Sequence, residues 1–117
     1  MTVTNPVVWF EVMGQDADKL RSFYADLLGW RFEVIKEMDY GTVEAGEGGI
    51  AGGIGKAREG RGWATFYTKV PNLEASLAQA QKLGSSVRVP ITELPDTRIA
   101  VVTDPEGNAV GLCADKA

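Results

Sequence analysis

Histidine is absent from all 117 residues. Imidazole is the side chain best suited to proton transfer near neutral pH and the commonest protein ligand for metals. Its absence excludes Ser-His and Cys-His nucleophiles and any imidazole-bound zinc, iron or nickel. Chemistry, if there is any, rests on carboxylates, hydroxyls, aromatics and backbone. Cysteine is nearly absent as well. Cys113 stands alone, so no internal disulfide can form, which suits a reducing cytoplasm. No apolar run approaches the ~20 residues of a membrane span, and the opening Met1-Thr2-Val3-Thr4-Asn5-Pro6 has neither the charged nor the apolar region of a signal peptide. Basic residues are scattered, the densest group being Lys56-Ala57-Arg58. With 12 basic against 16 acidic residues and a net charge of −4, neither nucleic acid nor an anionic membrane surface is expected as a partner.

What is present is ordinary for a globule: 44% apolar and 24% charged residues, in a chain of one domain's length. The expectation is a small cytoplasmic protein with a single core.

Residues 7–12, Val-Val-Trp-Phe-Glu-Val, form a β-branched and aromatic run that predicts a first strand. Asp16 can cap a helix. Leu20, Phe23, Tyr24, Leu27 and Leu28 follow the i, i+3, i+4, i+7, i+8 spacing of a one-sided apolar stripe, and Gly29 ends the helix. Further strands are predicted over 30–35, 42–45 and 50–54, with a turn at Asp39-Tyr40-Gly41. The order then recurs. Residues 63–70 read as a strand, Asn72 caps a helix carrying Leu73, Leu77, Ala80 and Leu83, and Gly84 closes it. Strands follow over 87–89, 98–103 and 109–114, the last preceded by a turn at Asp104-Pro105-Glu106-Gly107-Asn108. Asp16 and Asn72 lie 56 residues apart, and Gly29 and Gly84 lie 55 apart. Two copies of strand, helix and three strands are the simplest account: an α+β domain over 1–117. Module one spans about 6–55, a charged, glycine-rich linker about 56–62, and module two about 63–114.

Phe23-Tyr24, Leu28-Gly29-Trp30 and the distant Asp104-Pro105-Glu106-Gly107-Asn108 give the chain a family likeness. It resembles the vicinal oxygen chelate superfamily of glyoxalase, bleomycin-resistance proteins and extradiol dioxygenases. Gly62-Trp63-Ala64-Thr65-Phe66-Tyr67 and Val110-Gly111-Leu112 place it nearest the small subgroup similar to a mycobacterial culture-filtrate antigen. The resemblance implies tandem βαβββ modules whose curved mixed sheets enclose a cavity, and a homodimer. It also implies metal ligands, in metal-dependent members, at matching strand positions. Those positions here hold Trp9, Thr65 and Gly111, with the fourth near Ala51 or Gly52. None of these side chains ordinarily binds a hard or borderline cation, so neither a metal nor another cofactor is expected.

Strand alternation adds a reading independent of the family. If Trp9 faces the cavity, Glu11 does too, while Val8, Phe10 and Val12 face the helices. Trp63, Thr65 and Tyr67 share one face of their strand. On the last strand Ala109, Gly111 and Cys113 point the same way, leaving Val110 and Leu112 for the core. Aromatic walls with a few polar groups suit a small organic ligand, aromatic or amphipathic. Aromatics on a sheet also simply pack a core or a dimer interface. Glu11 is the sharpest chemical candidate, since burying a carboxyl tunes it for general acid or base catalysis. Its blander role is an ion pair, with Arg31 or Arg98 as partner. Cys113 has no group nearby in sequence to activate it and reads as a small buried residue. The glycines of 51–55 lack the ending of a phosphate-binding loop and are better explained by close approach across the strand.

The leading functional reading is a metal-independent small-molecule-binding protein that sequesters or senses its ligand. Its candidate contacts are Trp9, Glu11, Trp63, Thr65, Tyr67, Gly111 and Cys113. The alternatives are a metal-free isomerase or lyase acting on a small carbonyl compound through catalytic Glu11, and a dimeric interaction module without an open pocket.

Overall fold

A computed structural model describes residues 5–58 and 60–116. The first four residues of the opening segment and Glu59 of the linker lie outside the described residues. The chain folds as α+β, with two βαβββ modules. In the first, β1 (Val7–Gly14), α1 (Ala17–Leu28), β2 (Glu33–Ile35), β3 (Tyr40–Val43) and β4 (Ala51–Lys56) follow one another. A single 3-10 turn, Lys36–Met38, separates β2 from β3. The second repeats the order with β5 (Trp63–Lys69), α2 (Leu73–Lys82), β6 (Val87–Glu93), β7 (Arg98–Thr103) and β8 (Ala109–Ala114).

Pairing repeats as well. β1 runs parallel to β4, and β5 runs parallel to β8. β2–β3–β4 and β6–β7–β8 are antiparallel meanders. By contacts the chain divides into two compact units. One lies within Trp9–Ala64; the other takes in the described residues before Trp9 and those from Thr65 onward. Among the described residues no helix is long and apolar enough to cross a membrane.

Both helices begin at the N-caps the sequence indicates, and α1 ends at Gly29. The end of α2 is a correction: its C-cap is Leu83, one residue before Gly84, and Leu83 is exposed instead of carried on the apolar face. Asp16 Oδ1 accepts from Lys19 N at 3.0 Å, and Asn72 Oδ1 accepts from Ala75 N at 2.9 Å. Gly29 adopts a left-handed φ of 73°, and its N–H closes on Ala25 O. In the second unit Leu73 is fully buried with Val70, Ala100 and Ala114, and Leu77, Ile91 and Leu112 pack against them. Leu112 and Ala114 thus face α2, as alternation predicts for β8.

Four further expectations need correction. The apolar stripe of α1 is not its buried face: Phe23 and Leu27 are 55% and 63% exposed, and the buried residues are Ala17 and Arg21. The inward face is rotated toward a position whose residue type spoke against burial. Second, β2 begins at Glu33 instead of residue 30, because Trp30 leaves the sheet to stack on Tyr24, with ring centroids 5.6 Å apart. Trp30 also lies 5.3 Å from the Phe10 ring. Third, β3 starts at Tyr40, so the turn is concentrated on Asp39, at φ 47°. Fourth, β6 runs on to Glu93 through Pro90, with register shifts on both sides of Val89 that accommodate the missing N–H.

Candidate functional site

Glu11 is 7% exposed, the only acidic residue among the described buried ones. It sits mid-strand in β1, opposite Gly53 of β4. Both of its carboxylate oxygens accept hydrogen bonds. Tyr40 O–H donates to Oε1 at 3.1 Å, and Trp63 Nε1–H donates to Oε2 at 2.9 Å. Trp9 Nε1–H donates in turn to the Tyr40 hydroxyl oxygen at 3.0 Å. Two indoles, a phenol and a carboxylate form one network within Trp9–Ala64. These hydrogen bonds satisfy a carboxylate whose burial would otherwise be costly.

Local structure explains how the network assembles. Trp9 and Glu11 alternate to the same face of β1. Phe10 points the other way, toward Trp30 and over Gly52. The Tyr40 ring lies directly on the backbone of Gly53 and Gly55, where any Cβ would overlap it. Glycine here is a seat for an aromatic ring, which allows the phenol to reach from β3 across β4 to β1. Trp63 is placed by the linker. Ala57 N donates to Gly14 O at 2.8 Å, Gln15 Nε2 donates to Gly60 O at 2.7 Å, and Gly62 lies too close to the Met13 carbonyl for a side chain. Burial, and next the neighbouring Glu11 carboxylate, hold the Tyr40 hydroxyl well above the ordinary phenol range.

Sequence reasoning named Trp9, Glu11 and Trp63, and the fold brings these three together. It missed Tyr40, whose place in Asp39-Tyr40-Gly41 looked like a turn. The signal was available in the glycine at alternate positions 53 and 55, which marks a strand face receiving something large. Of the two arginines considered as partners for Glu11, Arg98 bonds Glu74 at 2.6 Å and Glu93 at 2.7 Å, and Arg31 is an exposed residue lining a surface cleft with Glu33 and Glu44. Hydrogen bonding to Arg98 draws Glu74 down to about 2.

Thr65, Tyr67, Gly111 and Cys113 belong to the other unit. There the Tyr67 ring covers Gly111, its partner in the β5–β8 register. Thr65 Oγ1 donates to Ala109 O. Cys113 is buried, and its burial raises the thiol pKa, a direction unfavourable to a nucleophile. Asp104 accepts from Glu106 N, Asn108 N and Asn108 Nδ2, so its carboxylate closes a turn.

The strand positions that the resemblance assigns to metal ligands do not fit a cation. Trp9 presents an N–H donor already given to Tyr40, Thr65 has its hydroxyl hydrogen on Ala109, and Gly111 has no side chain. The register also moves the fourth position. Tyr67 pairs with Gly111 and its repeat counterpart Glu11 pairs with Gly53, so Gly53 replaces the expected Ala51 or Gly52. It too lacks a ligand atom. Among the described residues no three His, Cys, Asp or Glu side chains cluster as a metal site would require.

The model of the Glyoxalase/Bleomycin resistance protein/Dioxygenase superfamily matches residues 7–112. Among solved structures, a superfamily member from Vibrio splendidus 12B01 is similar at TM-score 0.67 and 19% identity, over 96% of this chain and 100% of that one. An NAD-dependent benzaldehyde dehydrogenase from Legionella pneumophila is similar at TM-score 0.67 and 16% identity, over 92% and 98%. A methylmalonyl-CoA epimerase from Mycobacterium tuberculosis is similar at TM-score 0.63 and 14% identity, over 100% and 94%. At these identities the likeness is one of fold. No curated protein matches the chain significantly.

Proposed function

Since this chain belongs to the glyoxalase/bleomycin resistance protein/dioxygenase superfamily, we propose that it is a metal-independent binding protein for a small aromatic or amphipathic molecule, which it sequesters or senses. The observation that carries this reading is the commitment of both Glu11 oxygens to neutral donors, Tyr40 O–H and Trp63 N–H. A general base needs an oxygen within reach of the substrate proton. Glu11 instead organises the wall around it, fixing the edges of two indoles and a phenol. The faces of Trp9 and Trp63, both only partly buried, are the surfaces offered to a flat ligand. The poor match between the family's metal positions and Trp9, Thr65 and Gly111 supports a metal-free mode. A homodimer belongs to the same reading, with the exposed Phe23 and Leu27 of α1 as side chains a second copy would cover.

Thermal shift and tryptophan fluorescence across a panel of small aromatic and amphipathic compounds test the proposal. A stabilising compound should lose its effect in Trp9→Ala and Trp63→Ala. Its affinity should stay within about tenfold in Glu11→Gln, because the ligand meets indole faces instead of the carboxylate. Turnover of a carbonyl compound that collapses in Glu11→Gln would establish the isomerase or lyase alternative. Stoichiometric divalent metal retained by freshly purified protein through desalting would overturn the metal-free reading.

A further inference from the structure

Arg21 is 6% exposed, in the middle of α1. A buried arginine is unusual unless its donors are filled, and here they are. Nη1 donates to Ile54 O at 3.0 Å and Asp39 O at 3.3 Å, and Nη2 donates to Asp39 Oδ1 at 2.7 Å and Asp18 Oδ1 at 2.8 Å. Two of these acceptors are on Asp39, the residue immediately before Tyr40 and one of two described non-glycine residues with positive φ. The third, Ile54, lies between Gly53 and Gly55, the two residues beneath the Tyr40 ring. The Arg21 side chain also passes against Gly41. The guanidinium therefore grips the chain immediately before Tyr40 and the strand segment on which its ring rests.

We propose that Arg21 is the positioning residue of the aromatic–carboxylate site: through Asp39 and Ile54 it sets the turn into β3 and its distance from β4, so that the Tyr40 hydroxyl bridges Trp9 and Glu11. The inference deepens the binding reading, because it names the element that holds the site's polar edge in place. It makes no use of Arg21 as a ligand contact. A bidentate fork reaches both the carboxylate of Asp39 and the two carbonyls, which an ammonium cannot reproduce. Asp18 contributes little to the positioning, since its side chain is 94% exposed.

The test reads Tyr40 directly and needs no ligand. Tyrosinate absorbance is followed through an alkaline titration of the wild type, with Tyr40→Phe identifying the Tyr40 component. Arg21→Lys and Asp39→Asn are then titrated, each checked for a cooperative thermal transition. Tryptophan fluorescence gives a second readout, since Trp9 bonds Tyr40. A drop of about one pH unit or more in the Tyr40 midpoint, with an altered tryptophan spectrum in a folded variant, supports the assignment. A wild-type midpoint and spectrum in a folded variant overturns it and leaves Arg21 as helix–sheet glue. If Arg21→Lys does not fold, Asp39→Asn decides, because that side chain is 44% exposed and the amide keeps an acceptor for the buried guanidinium while removing the charge that makes the bond strong. A ligand panel without hits sinks the binding reading while leaving this result standing, so the two failures are distinguishable.

Discussion

Trp63 Nε1 donates to Glu11 Oε2 at 2.9 Å, while Tyr40 occupies the other oxygen of the same carboxylate. Each oxygen of the carboxylate thus receives a buried donor, one from each of two directions. An amide in its place offers one acceptor and presents an NH2 to the second donor. Glu11→Gln should therefore leave one buried donor unmatched and destabilise the protein by about 1–3 kcal/mol. Urea unfolding measures the loss. A variant as stable as the wild type would show that the carboxylate is not needed to satisfy Tyr40 and Trp63.

The Tyr40 ring rests on Gly53, so the smallest possible side chain there has nowhere to go. Gly53→Ala should cost about 1–3 kcal/mol by overpacking and push the phenol off Glu11. Two readings check it: a lower urea midpoint and a fall in the Tyr40 titration midpoint. Gly46→Ala is the contrast, since a Cβ at that position meets nothing.

Much of this arrangement was legible in the sequence, for a definite reason. Alternation along β1 fixes which residues share a face, so Trp9 and Glu11 follow from the strand assignment alone. The caps at Asp16 and Asn72, together with the closing glycines, fix the repeat and hence the fold. What alternation cannot give is the partner across the sheet. Tyr40 reaches Glu11 from two strands away, over glycines whose meaning appears only once a ring is seen lying on them. The burial of Arg21 was hidden for a related reason. Helical periodicity marks a direction around the axis, and Leu20, Phe23, Tyr24 and Leu27 define one clearly, but a guanidinium with four acceptors can displace the buried face toward itself. Apolar spacing along α1 carries no information about the carbonyls that Asp39 and Ile54 present to it.

That displaced stripe has its own consequence. Phe23 and Leu27 are exposed, so Phe23→Ser and Leu27→Gln should change the stability of an isolated chain by no more than about 0.5 kcal/mol each. If a second copy covers the α1 face, the pair should instead shift sedimentation toward the monomer and make stability depend on protein concentration. Sedimentation velocity over a concentration series separates the cases. A large loss of stability without any change in association would mean that the stripe is packed after all.

At low pH the sensitive element lies in the second unit, where Arg98 holds Glu74 and Glu93. Glu74 titrates at about 2 in the fold against an ordinary 4.5. Its folded form therefore binds a proton later than its unfolded form. The stabilisation is fully present above pH 4.5 and is lost as pH falls from there toward 2. Arg98→Lys should flatten that part of the stability profile, since a point charge replaces the fork that serves both carboxylates. Both partners lie at the surface, so added salt should weaken the effect.

Tyr40 produces the opposite dependence at the alkaline end. Its hydroxyl is held above the ordinary 10.0 by burial and by the Glu11 carboxylate. Above pH 10 an unfolded chain gives up this proton while the folded chain retains it, so ionisation favours unfolding. Stability should be level below pH 10 and fall as pH rises beyond it. Tyr24 and Tyr67 remain in Tyr40→Phe, so the difference between the two profiles isolates the Tyr40 contribution. Guanidinium unfolding midpoints collected between pH 8 and 11 should converge for wild type and variant as pH rises, because the variant has no such proton to lose. Parallel profiles would mean that the phenol is not shielded by the Trp9–Glu11 network in solution.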